Sequence, residues 1–87
     1  MSRPLTLAME IALLQLHIGW HFGVDGRTER ALLRRGLIRL GWYNRTFPSL
    51  PFLSDAGRAE AKRLWLRWPI EEKRALREVL HRWGLAA

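Results

Sequence analysis

The apolar positions of this chain recur at helical spacing near both ends and alternate over a short stretch in the middle. At the start, Leu5, Ala8, Met9, Ala12 and Leu16 form one helical stripe, and Leu7, Ile11, Leu14 and Ile18 form a second. A helix that is apolar around most of its circumference is a buried one. The segment from Leu5 to Ile18 is therefore expected at the centre of the fold, with Thr6, Glu10 and His17 on its narrow polar edge. Gly19 ends it, and Trp20-His21-Phe22-Gly23-Val24 alternates in bulk as an extended stretch. Asp25 is an N-cap for a second helix over Gly26 to Arg35, and Gly36 supplies the glycine that follows its C-terminus. Thr28 and Leu32 should turn inwards.

Leu37 to Leu40 reads as a strand, Gly41 to Ser49 as a loop or hairpin tip, and Leu50 to Leu53 as a returning strand. Pro51 suits only an edge strand, because it cannot donate to a ladder. Ser54 or Asp55 caps a third helix that runs to about Arg67, with Gly57, Ala61, Leu64 and Trp68 on one side and Trp65 beside them. Pro69 fits the first turn of a fourth helix, where Glu71 and Glu72 meet the positive end of the helix dipole. Leu76, Val79, Leu80 and Trp83 form its apolar stripe, and Gly84 stops it. The fold class expected is mainly α with a small β-hairpin (α+β), in the order helix, helix, strand, strand, helix, helix. With 87 residues there is room for one domain, extended by the C-terminal helix at about 70–83.

Composition then adds a function class. The net charge is +7, and thirteen of the fifteen basic residues are arginine, whose planar fork matches phosphate and carboxylate. The charge is concentrated: residues 27–45 carry Arg27, Arg30, Arg34, Arg35, Arg39 and Arg45 against Glu29 alone, a net +5. Such a focus favours an anionic partner, either nucleic acid or an acidic protein surface. Arg27, Arg30 and Arg34 fall within one narrow sector of the second helix. The hairpin region adds Trp42, Tyr43, Phe47 and Phe52, aromatics that can stack on bases, anchor a protein interface or fold back onto the core. The five tryptophans are open to the same alternatives of core and contact surface.

Other chemistries find little footing. There is no cysteine, so disulfides and thiolate metal sites are excluded. His17 and His21 have the i, i+4 spacing that can hold zinc, but Gly19 interrupts the helix and no carboxylate completes a site. No metal and no cofactor are expected. The eight carboxylates sit mostly at helix starts or on exposed faces, no nucleophile has a base and an orienter, and no glycine-rich phosphate loop is present, so an enzyme is not expected. The apolar run from Leu5 to Val24 is broken by Glu10, Gln15, His17, Gly19 and His21, which argues against a membrane span. No cleavable signal is read at the N-terminus.

Two stretches resemble bacterial winged-helix proteins. Ala31-Leu32-Leu33-Arg34-Arg35-Gly36-Leu37-Ile38 is similar to the end of their recognition helix, and Leu53-Ser54-Asp55-Ala56-Gly57-Arg58-Ala59 to the run that follows their wing. The two come in the right order, and the 14 residues from Arg39 to Phe52 suffice for a wing. The resemblance implies that Arg27, Arg30, Arg34 and Arg35 lie on a recognition helix, and Arg39, Trp42, Tyr43 and Arg45 on the wing. The departure is equally specific. Only the seven residues from Gly19 to Asp25 separate the first helix from the presumed recognition helix, too few for the helix that normally crosses the DNA backbone. This truncated form resembles small phage and prophage proteins. Some of those bind double-stranded DNA as transcriptional regulators, and others, including some anti-CRISPR proteins, bind host proteins. The resemblance thus implies a cytoplasmic place in a bacterial host, with DNA or an acidic, nucleic-acid-handling host protein as partner. A homodimer or partner face is a further expectation, built from Leu33, expected exposed among the arginines, and from Leu76, Leu80 and Trp83. For that last stripe packing against the first helix is the reading preferred, and the dimer face is its alternative.

Overall fold

A computed structural model describes residues 4–82, with the side chain of Leu80 left out. The elements are α1 (Leu7–His17), α2 (Gly26–Arg34), β1 (Ile38–Gly41), β2 (Leu50–Leu53), α3 (Asp55–Arg67) and α4 (Ile70–Arg82). The fold is therefore mainly α with a small antiparallel hairpin, in the element order expected. None of the described helices is long and apolar enough to cross a membrane.

Local chemistry sets the boundaries. Thr6 stands outside α1 as its N-cap, accepting from the Met9 amide at 3.2 Å. Gly19, at φ +93°, closes that helix, with its amide bonded to Leu16 and the Trp20 amide to Gln15. Asp25 caps α2 by accepting from the amides of Arg27 and Thr28. At the other end Gly36, at φ +69°, repeats the closure: its amide reaches Leu33 O and the Leu37 amide reaches Leu32 O. This is the paired 5→2 and 6→1 ending that a left-handed glycine permits. The chain leaves it directly into β1, which pairs with β2 in the register Ile38 with Leu53, Arg39 with Phe52, Leu40 with Pro51 and Gly41 with Leu50.

α3 is anchored on that same junction. The Ser54 hydroxyl accepts from the Gly57 amide at 3.0 Å and donates to Gly36 O at 2.6 Å, while the Ser54 amide donates to Leu37 O at 3.1 Å. Gly57 faces Leu37 so closely that a Cβ there would lie 1.7 Å from the Leu37 carbonyl oxygen. Ser54 and Gly57 thus do separate work: one satisfies the helix end, the other lets two backbones touch.

α1 packs chiefly against α3 and also meets α2 and β2. The core comprises Ala12, Leu13, Leu14 and Leu16 of α1 with Leu32, Ile38, Leu53, Ala61 and Leu64. Leu32 points inwards as expected, and Thr28 is half-buried. Two expectations for α1 need correcting. Leu13, in neither apolar stripe, is fully buried, whereas Leu7 is 65% exposed and Ile11 also faces out. Nothing among the described residues covers the outer side of the first two turns, so apolarity there does not bring burial.

Candidate nucleic-acid or partner interface

α2 presents its arginines as the sequence implies. Arg27, Arg30 and Arg34 are all exposed. The ion pairs among the described residues join Arg63 to Glu60 and Arg67 to Glu10, and none involves these three. Of the two carboxylates at the start of α2, Asp25 is occupied with backbone amides, and Glu29, half-buried in the first turn, makes no ion pair with the three arginines. Arg35 differs from its neighbours: it is half-buried and donates to the Pro4 carbonyl oxygen at 3.4 Å, tying the chain start to the end of α2. Leu33 is a correction. It was expected to stand exposed among the arginines, but it is half-buried and packs against the core, because its side of α2 turns towards the cluster around Leu32.

The hairpin carries the other half of the candidate surface. Arg39 is exposed, with its guanidinium 5.5 Å from the ring centroid of Phe52, its register partner. Phe52 is half-buried, and its ring also lies against Gly41, where a Cβ would come within 2.9 Å of it. Arg45 is exposed in the tip. The tip is held by Asn44, whose side-chain oxygen accepts from the Phe47 amide at 2.8 Å, while Phe47 O accepts from the amides of Tyr43 and Asn44. Trp42 is 68% exposed, with Tyr43 and Phe47 also open to solvent.

The connector between α1 and α2 supports this tip, a role the sequence reading did not assign. Phe22 sets its ring edgewise to Tyr43, at 5.5 Å, and to Phe47, at 4.7 Å. Trp20 lies against Phe22 at 4.7 Å. His21 lies tilted against Phe52, with centroids 4.5 Å apart, and donates from Nδ1 to Pro51 O at 2.9 Å. Gln15 Nε2 fixes the connector from α1 by donating to Phe22 O. Where a helix-turn-helix would carry another helix, the described chain has an irregular, aromatic connector packed beneath the hairpin tip. The alternation Trp20-His21-Phe22 was the available signal, and it marks side chains that reach the hairpin.

The two histidines of the i, i+4 pair serve separate neighbours. His17 lies 5.8 Å from Trp65, and His21 is committed to Phe52 and Pro51. No group of three or more His, Cys, Asp or Glu is gathered among the described residues.

The C-terminal stripe is divided. Leu76 is half-buried against the core, and Val79 is exposed. The side chain of Leu80 and all of Trp83 lie outside the described residues. α4 does not lie closely along α1: a cleft opens between His17 and Ile18 on one side and Arg74, Arg77, Glu78 and His81 on the other. α4 is seated instead by Leu76 and by Lys73 and Arg77, whose charges sit 5.2 and 4.9 Å from the Trp65 ring.

No protein-family model, curated protein or solved structure matches this chain.

Proposed function

We propose that the protein is a small winged-helix-like DNA-binding protein of transcriptional-regulator type, from a phage or other mobile element. It grips duplex DNA with α2 and the hairpin tip. The observation that carries this reading is the trio Arg27, Arg30 and Arg34, exposed in one sector of α2 and free of ion pairs among the described residues. Exposed guanidiniums without ion pairs cost the free protein little in water and stand ready for phosphates. The fixed hairpin tip adds Arg39 and Arg45. Phosphate contacts supply affinity and register, and an arginine that reaches a guanine edge adds sequence preference.

About four phosphate contacts give a log–log salt slope of roughly −3.6, so affinity falls about a hundredfold between 50 and 200 mM salt. Each of Arg27→Ala, Arg30→Ala and Arg34→Ala reduces that slope by about 1 if its guanidinium meets a phosphate. Fluorescence anisotropy of a labelled duplex over a salt series measures this. Absence of duplex binding at 20 mM salt would refute the reading.

A second reading is favoured by Trp42 and by the absence of a described helix between α1 and α2. In that reading the tip anchors the chain to an acidic or nucleic-acid-handling host protein, as a phage-encoded inhibitor such as an anti-CRISPR protein does. The same arginine variants then weaken capture only modestly and in a salt-sensitive way, while Trp42→Ala with Tyr43→Ala abolishes it. Pull-down from host lysate with and without nuclease separates the two partners.

A further inference from the structure

The cleft between the end of α1 and α4 stands apart from the α2 surface. Its volume is about 790 Å³, within the range of roughly 300–1,000 Å³ typical of small-molecule sites. Its lining combines two kinds of surface. Trp65 of α3 and Ile18 give an apolar floor, while His17, Arg74, Arg77 and His81 surround it with nitrogen.

The polarity is one-sided. Glu78 is the one carboxylate among the described lining residues. It stands one helical turn from Arg74, yet the two are not ion-paired. At the α1 end the Leu14, Gln15 and Leu16 carbonyls already receive the Ile18, Trp20 and Gly19 amides, which leaves the carbonyls of His17 and Ile18 as the acceptors there. Arginine has five donors and no acceptor. A ligand matching this wall must bring acceptor oxygens and negative charge, which is the chemistry of a phosphate held in an arginine fork.

The floor adds a second requirement. The Trp65 ring already accommodates two cations, the Arg77 guanidinium at 4.9 Å and the Lys73 ammonium at 5.2 Å, with the His17 ring tilted beside it at 5.8 Å. A planar heterocycle can use an indole in the same way by offset stacking. The heterocycle takes the place of Lys73 and Arg77 on the ring, and Arg77 turns to the phosphate. We propose that this cleft is a binding site for a small phosphate monoester carried on a planar ring, a ligand of the nucleoside monophosphate class, held by Arg74 and Arg77 over Trp65.

The site is independent of DNA binding by α2, and its test separates the two. The full chain is titrated calorimetrically with adenosine monophosphate, adenosine and inorganic phosphate. The expected result is one-to-one binding of the monophosphate, with adenosine and inorganic phosphate each at least about tenfold weaker, since each lacks one half of the match. Arg74→Ala should weaken the monophosphate about tenfold. Glu78→Gln should tighten it about threefold by removing a like charge. Both residues are exposed, and circular dichroism confirms that the variants remain folded. A purely structural role for these side chains would not move affinity in opposite directions. The triple change Arg27→Ala, Arg30→Ala, Arg34→Ala should leave monophosphate binding unaltered. The proposal is overturned if millimolar monophosphate gives no binding, if Arg74→Ala and Glu78→Gln leave it unchanged, or if inorganic phosphate binds as tightly as the monophosphate.

Discussion

Gly57 and Gly26 are both helical glycines, and the structure gives them opposite consequences. A methyl group at Gly57 would stand 1.7 Å from the Leu37 carbonyl oxygen, an overlap with backbone that no rotamer change can relieve. α3 would have to withdraw from the α2–β1 junction, loosening the two Ser54 bonds to Gly36 and Leu37. Gly57→Ala should therefore cost about 3 kcal/mol or more. At roughly 4–8 °C per kcal/mol for a domain of this size, melting falls by more than about 10 °C. At Gly26 the same methyl meets one atom, Arg30 Nη1, at 3.9 Å. Gly26→Ala should stabilise by up to about 1 kcal/mol, since alanine is the better helix former. Thermal melts of the two variants check the contrast, and a mild Gly57→Ala would mean that α3 is not docked this closely.

The elements were legible in the sequence where a residue's chemistry is local. Asp25, Gly36 and Ser54 act within a turn of their own positions, so the bounds of α2 and α3 could be read to within a residue or so. What covers a helix is not local. Leu7 and Leu13 look alike in sequence, but the first is open and the second buried, because α3 and α2 reach one part of α1 and not another. Leu33 turns inwards for the same reason, and nothing in the sequence around Trp65 marks it as the ring on which cations from α4 settle. The basic face, by contrast, needed only helical geometry. The α4 contacts carry a prediction of their own. Two exposed cation–π contacts are worth about 0.5–1 kcal/mol each, and part-burial of Leu76 adds about 1–2 kcal/mol. α4 should thus open without the rest of the molecule. Its amides should exchange hydrogen well before those of α1 and α3, and Trp65→Ala should speed exchange in α4 more than in α2. Equal protection across all four helices would contradict a loosely seated α4.

At the scale of the whole molecule, a net charge of +7 on 87 residues sets stability against binding. The two described ion pairs, Arg63 with Glu60 and Arg67 with Glu10, each have an arginine largely in water and contribute little. Arg27, Arg30 and Arg34 make no ion pair among the described residues and repel one another. Unit charges about 8 Å apart in water interact by roughly 0.5 kcal/mol, and salt near 0.15 M screens most of that over a Debye length of about 8 Å. The free protein should accordingly melt a few degrees higher at 150 mM than at 20 mM salt, while its affinity for duplex DNA falls over the same interval. The triple change Arg27→Ala, Arg30→Ala, Arg34→Ala removes three of these charges and substitutes the strongest helix former. It should leave the fold as stable as before, or up to about 1 kcal/mol more stable at 20 mM salt, with little difference at 150 mM. Its DNA affinity should nevertheless collapse. Melting curves and anisotropy titrations on the same samples measure both quantities. If the triple variant were clearly less stable than the parent at low salt, these arginines would be serving the fold, and the basic face of α2 would lose its claim to be a surface kept for a partner.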